Sequence, residues 1–247
     1  MTEASDVRRR GPDTEDPRAF SQAKLPSLAR ASEEVSWLLG RGYPMDLAVR
    51  CAGDHHQLHA RARLALTRAC TAPERAIERE RKRLVGAAIV GETVSIDAFN
   101  VLVTMEVARG GGPLFRCVDG AIRDLAGLRG SYKCVSDTEP AIARLAQWLL
   151  DCGAACARVY VDEPVSNSGR VRALFEQCFS KASEGREFAF DVRMVRDADT
   201  ALDGAAVVLS ADAVVIDRAE RWVSVVSELL DEWAPDAWVI DLKSGTA

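Results

Sequence analysis

Aspartates stand at four places where an apolar run gives out. Asp97 closes "TVSID", Asp162 closes "RVYVD", Asp197 and Asp199 follow "DVRMV", and Asp212 follows "VVLS". A carboxylate at the end of an apolar segment needs hydrogen-bond donors, a cationic partner or a metal, because burying a bare charge is costly. Acids gathered at one point repel one another unless a cation sits among them, and clustered carboxylate oxygens suit a hard divalent ion, Mg²⁺ or Mn²⁺. Such an ion orients water and neutralises charge that develops on a phosphodiester, so the chemistry suggested is metal-assisted phosphoryl hydrolysis. Asn100, three residues after Asp97, is spaced to bond the first turn of a following helix, or to steady Asp97 or a water on the ion. Taken singly, each aspartate also reads as an ordinary helix N-cap.

Bringing these acids together requires an alternation of strands and helices, and the chain after Val85 has one. Strand-like "VSIDAF" leads into helical "NVLVTMEVA", a "GGGP" turn follows, and "DGAIRDLAGLR" and "TEPAIARLAQWLLDCG" read as helices. Then come strand "ARVYVD", helix "SGRVRALFEQCFS", strand "FAFDVRMV", a short helix around "DADTALDG", strand "AAVVLS", helices "DAVVIDRA" and "VSVVSELLDEW", and strand "AWVIDL". The expected fold is α/β, a parallel sheet with helices on both faces and its crevice outside the carboxyl ends of the strands. Residues 85–247 form this domain. Residues 25–84 read as a small all-helical domain, with Leu28, Val35, Leu38 and Leu39 at helical spacing. Residues 1–24, with three consecutive arginines, two prolines and no apolar period, read as a flexible leader.

The 247 residues are 48% apolar and 28% charged, which suits a globular chain. No run of about eighteen apolar residues occurs, so no membrane partner is expected. Seven cysteines without a CxxC pair read as reduced thiols, and the expected compartment is cytoplasmic. Net charge is −5, unevenly spread: residues 1–90 carry 16 Lys/Arg against 12 Asp/Glu, and residues 91–247 carry 16 against 25. The acidic part calls for cations and the basic part suits a polyanion, although a charge run is often only a solvated face.

"SIDAFNVL" resembles the first motif of the NYN-type PIN-like ribonucleases, in which a strand ends in Asp and Asn follows three positions later. "ADTAL" and "VVLSADAVVID" resemble the second and third acidic motifs of that superfamily. The resemblance implies a PIN-like, Rossmannoid sheet and a Mg²⁺- or Mn²⁺-dependent nuclease acting on nucleic acid, RNA in the first place. It places Asp97, Asp199 and Asp212 on the metal-binding acids, with Asp162 or Asp217 as a fourth and Asn100 as helper. The acid on the helix before the third strand has three candidates here: Asp197, Asp199 and Asp203. The complete chain is also similar to an uncharacterised prokaryotic family that joins a helical amino-terminal domain to this α/β domain, with "DGAIRDLAGLRGSY" and "PVSNSGR" as further blocks.

Other stretches bear on substrate. Ser166, Asn167, Ser168 and Gly169 precede an amphipathic helix whose free N–H groups could receive a phosphate beside Arg170. Arg123 and Asp124 are adjacent and would diverge on a helix, one toward the site; Arg129 belongs to the same stretch. Arg61, Arg63, Arg68 and the run Arg79 to Arg83 could track a phosphate backbone. His55 and His59 are spaced i, i+4, yet His56 stands where a zincin needs its glutamate, so a metal site is not expected there. No GxSxG serine is present, and Phe99 stands where an aspartyl phosphatase needs its second acid. A non-catalytic nucleic-acid or protein-binding module on the same scaffold is the alternative, a small-molecule phosphohydrolase the next, and a second copy of the chain a candidate partner.

Overall fold

A computed structural model describes residues 9–127 and 130–243. The chain opens with helices α1 (Asp16–Ala19), α2 (Leu25–Gly40), α3 (Met45–His55), α4 (Ala60–Ala69) and α5 (Pro73–Lys82). Proline lies in the first turn of α1, α2 and α5, where its missing N–H costs no helical hydrogen bond. Alanines 48, 52, 62, 65 and 69 recur on the inner faces of α3 and α4, and their small side chains let the helices approach closely.

The α/β part begins with strands β1 (Arg83–Leu84) and β2 (Thr93–Asp97), helix α6 (Ala98–Gly110), then strands β3 (Leu114–Arg116) and β4 (Ile122–Asp124). Helix α7 (Thr138–Asp151), strand β5 (Cys156–Asp162), helix α8 (Ser168–Ala182) and strand β6 (Ala189–Val195) follow. The chain continues through α9 (Ala198–Ala201), β7 (Val207–Leu209), α10 (Ala213–Arg218), β8 (Arg221–Val223), α11 (Val225–Trp233) and β9 (Val239–Asp241).

Six strands form one sheet in the order β1-β8-β7-β2-β5-β6, with every pairing parallel. Strand β2 is buried from Val94 to Asp97, as a central strand covered on both faces must be. From β2 the chain runs outward through β5 and β6, then returns to build β7 and β8 on the other side. The reversal makes the carboxyl end of β2 the topological switch point, where open α/β sheets form their crevice. Helix α6 leaves this point and is buried along nearly its whole length, which explains why "NVLVTMEVA" is apolar all round rather than striped.

Two expectations are corrected. Residues 119–127 of "DGAIRDLAGLR" do not form a helix: Gly120, at φ +83°, turns a hairpin in which β4 pairs antiparallel with β3, Phe115 opposite Arg123. The last strand, "AWVIDL", joins that hairpin rather than the main sheet, giving a second sheet in the order β4-β3-β9. This small sheet ties the two expected domains into one body, because its Phe115, Cys117, Leu125, Ile240 and Leu242 share a core with Leu28, Val35 and Leu66 of the helical unit.

Nor is the leader loose over its described residues 9–24. Phe20 is buried against Phe115 and Trp238, at ring-centroid distances of 5.1 and 6.2 Å. Asp16 accepts two hydrogen bonds from Arg61, at 2.6 and 2.9 Å, and Arg10 reaches the buried Glu106 at 2.8 Å. Residues 1–8 of the leader, and Arg129, lie outside the described residues. Among the described residues no helix is long and apolar enough to cross a membrane.

Candidate functional site

The acids at the strand ends converge. Asp97, Asp162, Asp199 and Asp212 line one cavity of about 220 Å³ at the switch point, together with Asn100 and Asp124. Asp97 ends β2 opposite Tyr160 of β5, and Asp162 lies two residues further along β5. Asp97 caps α6 by accepting from the Asn100 N–H at 3.3 Å and also accepts from the Ser210 hydroxyl at 2.9 Å. Asp162 accepts from the Ala198 N–H at 2.8 Å, which fixes the start of α9. Asp212 caps α10 through the N–H groups of Val214 and Val215. The N-cap reading and the site reading of these aspartates are therefore compatible: one oxygen serves a helix start while the side chain still lines the cavity.

Of the three candidates on the helix before β7, Asp199 is the one that lines the cavity. Asp197 is exposed and bonded to Thr200, and Asp203 is paired with Arg218. Asp217 is not part of the cavity; Arg79 grips it at 2.7 and 2.9 Å and Arg75 at 3.1 Å. Asp217 as a metal ligand is thereby corrected, because two guanidiniums already neutralise it.

Asn100 is a positioning residue. Its Oδ1 accepts from the Ala211 N–H at 2.7 Å, while Arg123 donates through Nε to the Ala211 carbonyl at 2.6 Å. The backbone of Ala211 is thus held at both its N–H and its carbonyl, immediately before Asp212. Arg123 spends its other donors on Asp119, at 3.0 and 2.7 Å, so it braces the loop rather than offering a free grip on substrate.

The Ser166–Arg170 stretch does not reach the acids either. The Ser166 hydroxyl and the Asn167 amide bind the backbone of Tyr132, and the Ser168 hydroxyl donates to the Glu163 carbonyl. Arg170 lines a separate cavity with Cys134 and Glu139. The side chains of Ser166, Asn167 and Ser168 are thus taken up within their own loops, away from the acid cavity.

Among the basic residues, Arg61 is tied to Asp16, Arg63 to Asp54, and Arg79 to Asp119 and Asp217. Lys82 caps the carboxyl end of α10 through the carbonyls of Ile216, Asp217 and Ala219. The expected polyanion-tracking run therefore serves mainly to clamp α5 onto the α/β part. Arg68, by contrast, stands in the wall of the acid cavity.

Of the Arg123–Asp124 pair, from which one side chain was expected toward the site, Asp124 lines the acid cavity, and Ser210 is a site feature that sequence reasoning missed. Asp124 is buried beside the other acids, accepting from the Thr104 hydroxyl and the Ala126 N–H at 2.7 Å each. Ser210 bridges Asp97 and the Asp212 N–H, and the only sequence signal for it was a hydroxyl between strand β7 and Asp212.

Burial and mutual repulsion dominate the electrostatics of the cavity. Asp97, 5% exposed, has its carboxyl pushed up to about 7, chiefly by burial and further by the charges of Asp199 and Asp162, against the hydrogen bonds from Ser210 and Asn100. Burial likewise raises Asp199, with Asp212, Asp197 and Asp162 adding repulsion, and burial raises Asp162. None of the four lining aspartates forms an ion pair with a lysine or arginine among the described residues. Their oxygens are spread: the trio of ligand atoms lying within 4.8 Å of one another is Glu34, His55 and His56, away from this cavity. His59 instead caps α4 and meets Glu15, so the i, i+4 histidine pair is not assembled. A hydrated Mg²⁺ or Mn²⁺, if held here, would be held by one or two of these carboxylates and would keep several waters.

A pH prediction follows from Asp97. Its folded-state pKa is raised, so its contribution to the stability of the metal-free protein is fully present below the unfolded value of about 3.9 and is lost as pH rises through about 7. A divalent cation takes the proton's place on the high side. Mn²⁺ should therefore raise the Tm clearly at about pH 8 and hardly at about pH 5; equal shifts by scanning calorimetry at both values would remove Asp97 from the cation's surroundings.

Residues 86–228 match the model of a domain of unknown function, DUF5616. The chain belongs to the DUF5616 family. Residues 27–82 match a second model, a protein of unknown function, DUF434, so the helical unit and the α/β part are recognised separately despite their shared core. The uncharacterized protein MJ0935 of Methanocaldococcus jannaschii is 28% identical over 208 residues, covering 83% of this chain and 97% of its own length. No solved structure matches the chain. Every aspartate of the cavity falls within the DUF5616 span, whereas Arg68 falls within the DUF434 span.

Proposed function

We propose that the protein is a metal-dependent nuclease on a PIN-like scaffold, hydrolysing phosphodiester bonds in RNA at the cavity formed by Asp97, Asp162, Asp199 and Asp212. The observation that carries this reading is the convergence of four aspartates on the switch-point cavity, none of them in an ion pair with a lysine or arginine among the described residues. Mg²⁺ or Mn²⁺ held there supplies an oriented, more acidic water and positive charge for the phosphoryl oxygens. Asp97 and Ser210 hold the deep wall of the cavity, while Asn100 and Arg123 fix the Ala211 peptide and so the approach of Asp212. Asp97 must be ionised to bind a cation, so activity rises with pH through about 7.

A non-catalytic nucleic-acid-binding module is the second reading, favoured by the spread of the carboxylate oxygens. The two separate on one assay: labelled RNA incubated with the full chain and Mn²⁺, against EDTA. Cleavage that EDTA abolishes supports the nuclease; retention of intact RNA supports the binding module. Turnover of free nucleotides without any polymer cleavage would instead indicate a small-molecule phosphohydrolase.

A further inference from the structure

The acid cavity does not end at the aspartates. A second hollow of about 300 Å³ adjoins it, sharing Arg68, Asn100, Asp124 and Asp212 and otherwise lined by Thr67, Thr104, Arg123, Ala211 and Ala213. One wall of this cleft is therefore α4, an element of the helical unit. The cleft contains two arginines with opposite duties. Arg123 is buried and committed to Asp119 and Ala211. Arg68 is exposed and makes no hydrogen bond or ion pair among the described residues, yet its charge reaches Asp124 and opposes the upward push that burial gives that carboxyl.

An unpaired guanidinium beside five carboxylates attracts an anion that a cation elsewhere in the same cleft would also attract. Its base is rigid: Ala69, the next residue, accepts a hydrogen bond from the Val118 N–H at 3.2 Å, tethering the end of α4 to the small sheet. An arginine so placed need lose little freedom on binding, and it matches a phosphate with paired donors.

We propose that Arg68 anchors the phosphate next to the scissile one in a single-stranded nucleic acid, making the helical unit half of the substrate site. The inference rests on the nuclease reading for the position of the scissile phosphate. Hollows of about 220 and 300 Å³ are at the small end for ligand sites and take a strand one or two nucleotides at a time, not a duplex. Their lining is polar apart from Phe99, Val103 and a few alanines, so the grip is on the backbone and indifferent to base sequence.

The test uses fluorescein-labelled oligouridylate and anisotropy with the full chain in Ca²⁺ over a salt series. Arg68→Ala should weaken binding about tenfold and reduce the salt slope by about 0.7, the value for one phosphate contact on a single strand. Arg68→Lys should recover most of both. Arg30→Ala, which removes an equal charge from exposed α2 surface outside the cleft, is the control. An Arg68→Ala protein indistinguishable from the Arg30→Ala control overturns the anchor, as does duplex RNA binding as tightly as the single strand, or a wild-type protein that binds uridine monophosphate but no oligouridylate. If Arg68-dependent retention is found while Mn²⁺ supports no cleavage, the nuclease reading fails, and Arg68 stands as a contact to a single-strand phosphate with no scissile neighbour.

Discussion

Asp97→Asn is expected to lower Mn²⁺-dependent RNA cleavage by on the order of 10³-fold while leaving the fold intact. Asparagine keeps the shape of the side chain and is as good an N-cap as aspartate, so the bond from the Asn100 N–H survives on Oδ1, while Nδ2 replaces the oxygen that accepted from Ser210 and the Ser210 hydroxyl must turn to accept from it. What disappears is the negative charge at the deepest point of the cavity, where 5% exposure leaves little water to substitute for it. Two further readouts separate lost chemistry from lost structure. The variant should bind less Mn²⁺ by titration calorimetry, and its metal-free Tm at about pH 8 should exceed that of the wild type, because the buried charge that opposed folding is gone. Wild-type cleavage rates in the variant would refute the assignment of Asp97 to the reaction.

The second large effect concerns stability. A buried chain of charges runs from Asp217 through Arg79 and Asp119 to Arg123 and ends on the Ala211 carbonyl beside the acid cavity. Asp119 is its midpoint, 1% exposed and contacted by both guanidiniums at 2.7 Å. Asp119→Ala would leave two arginines buried without their shared counter-charge, which should cost about 3–5 kcal/mol. The two arginines hold the Asp119 carboxyl below its ordinary range, against burial, which is the largest influence and acts upward. Its stabilising share is therefore present above the unfolded value of about 3.9 and lost as pH falls through the lower folded value. Chemical denaturation at neutral pH should show the large loss, and the acid limb of the wild-type stability curve should flatten in the variant. A loss below about 1 kcal/mol would mean that water reaches the arginines. Since Arg123 also fixes the Ala211 peptide, milder variants of this chain should loosen the approach to Asp212 before they unfold the protein.

Much of this molecule could be read along the chain. Strand-forming runs such as "RVYVD" and "FAFDVRMV" and helices such as "TEPAIARLAQWLLDCG" carry their own periodicity, so β5, β6 and α7 stand where they were expected. The aspartates at strand ends were legible because parallel strands point their carboxyl ends the same way, and the register of β2 with β5 and β7 then brings Asp97, Asp162 and Asp212 to one edge. The hairpin of β3 and β4 was misread although Asp119-Gly120 is a turn signal, since Ala121, Ile122 and Leu125 also suit a helix.

Partnership was the part that one-dimensional pattern could not decide. Ser166, Asn167 and Ser168 have the chemistry of a phosphate cradle, but a loop 34 residues away in sequence, at Tyr132, takes the bonds of Ser166 and Asn167. Arg68 and Arg79 are equally basic in the sequence, yet one faces the acids unpaired and the other is sealed between Asp119 and Asp217. Amino-acid order alone determined most of the element types, the parallel α/β class and the aspartates at the strand ends, because propensity and periodicity act over a few neighbours. The tertiary structure decided which charges neutralise one another and which are left for a ligand, because Coulomb interactions depend on distance and burial and not on position along the chain.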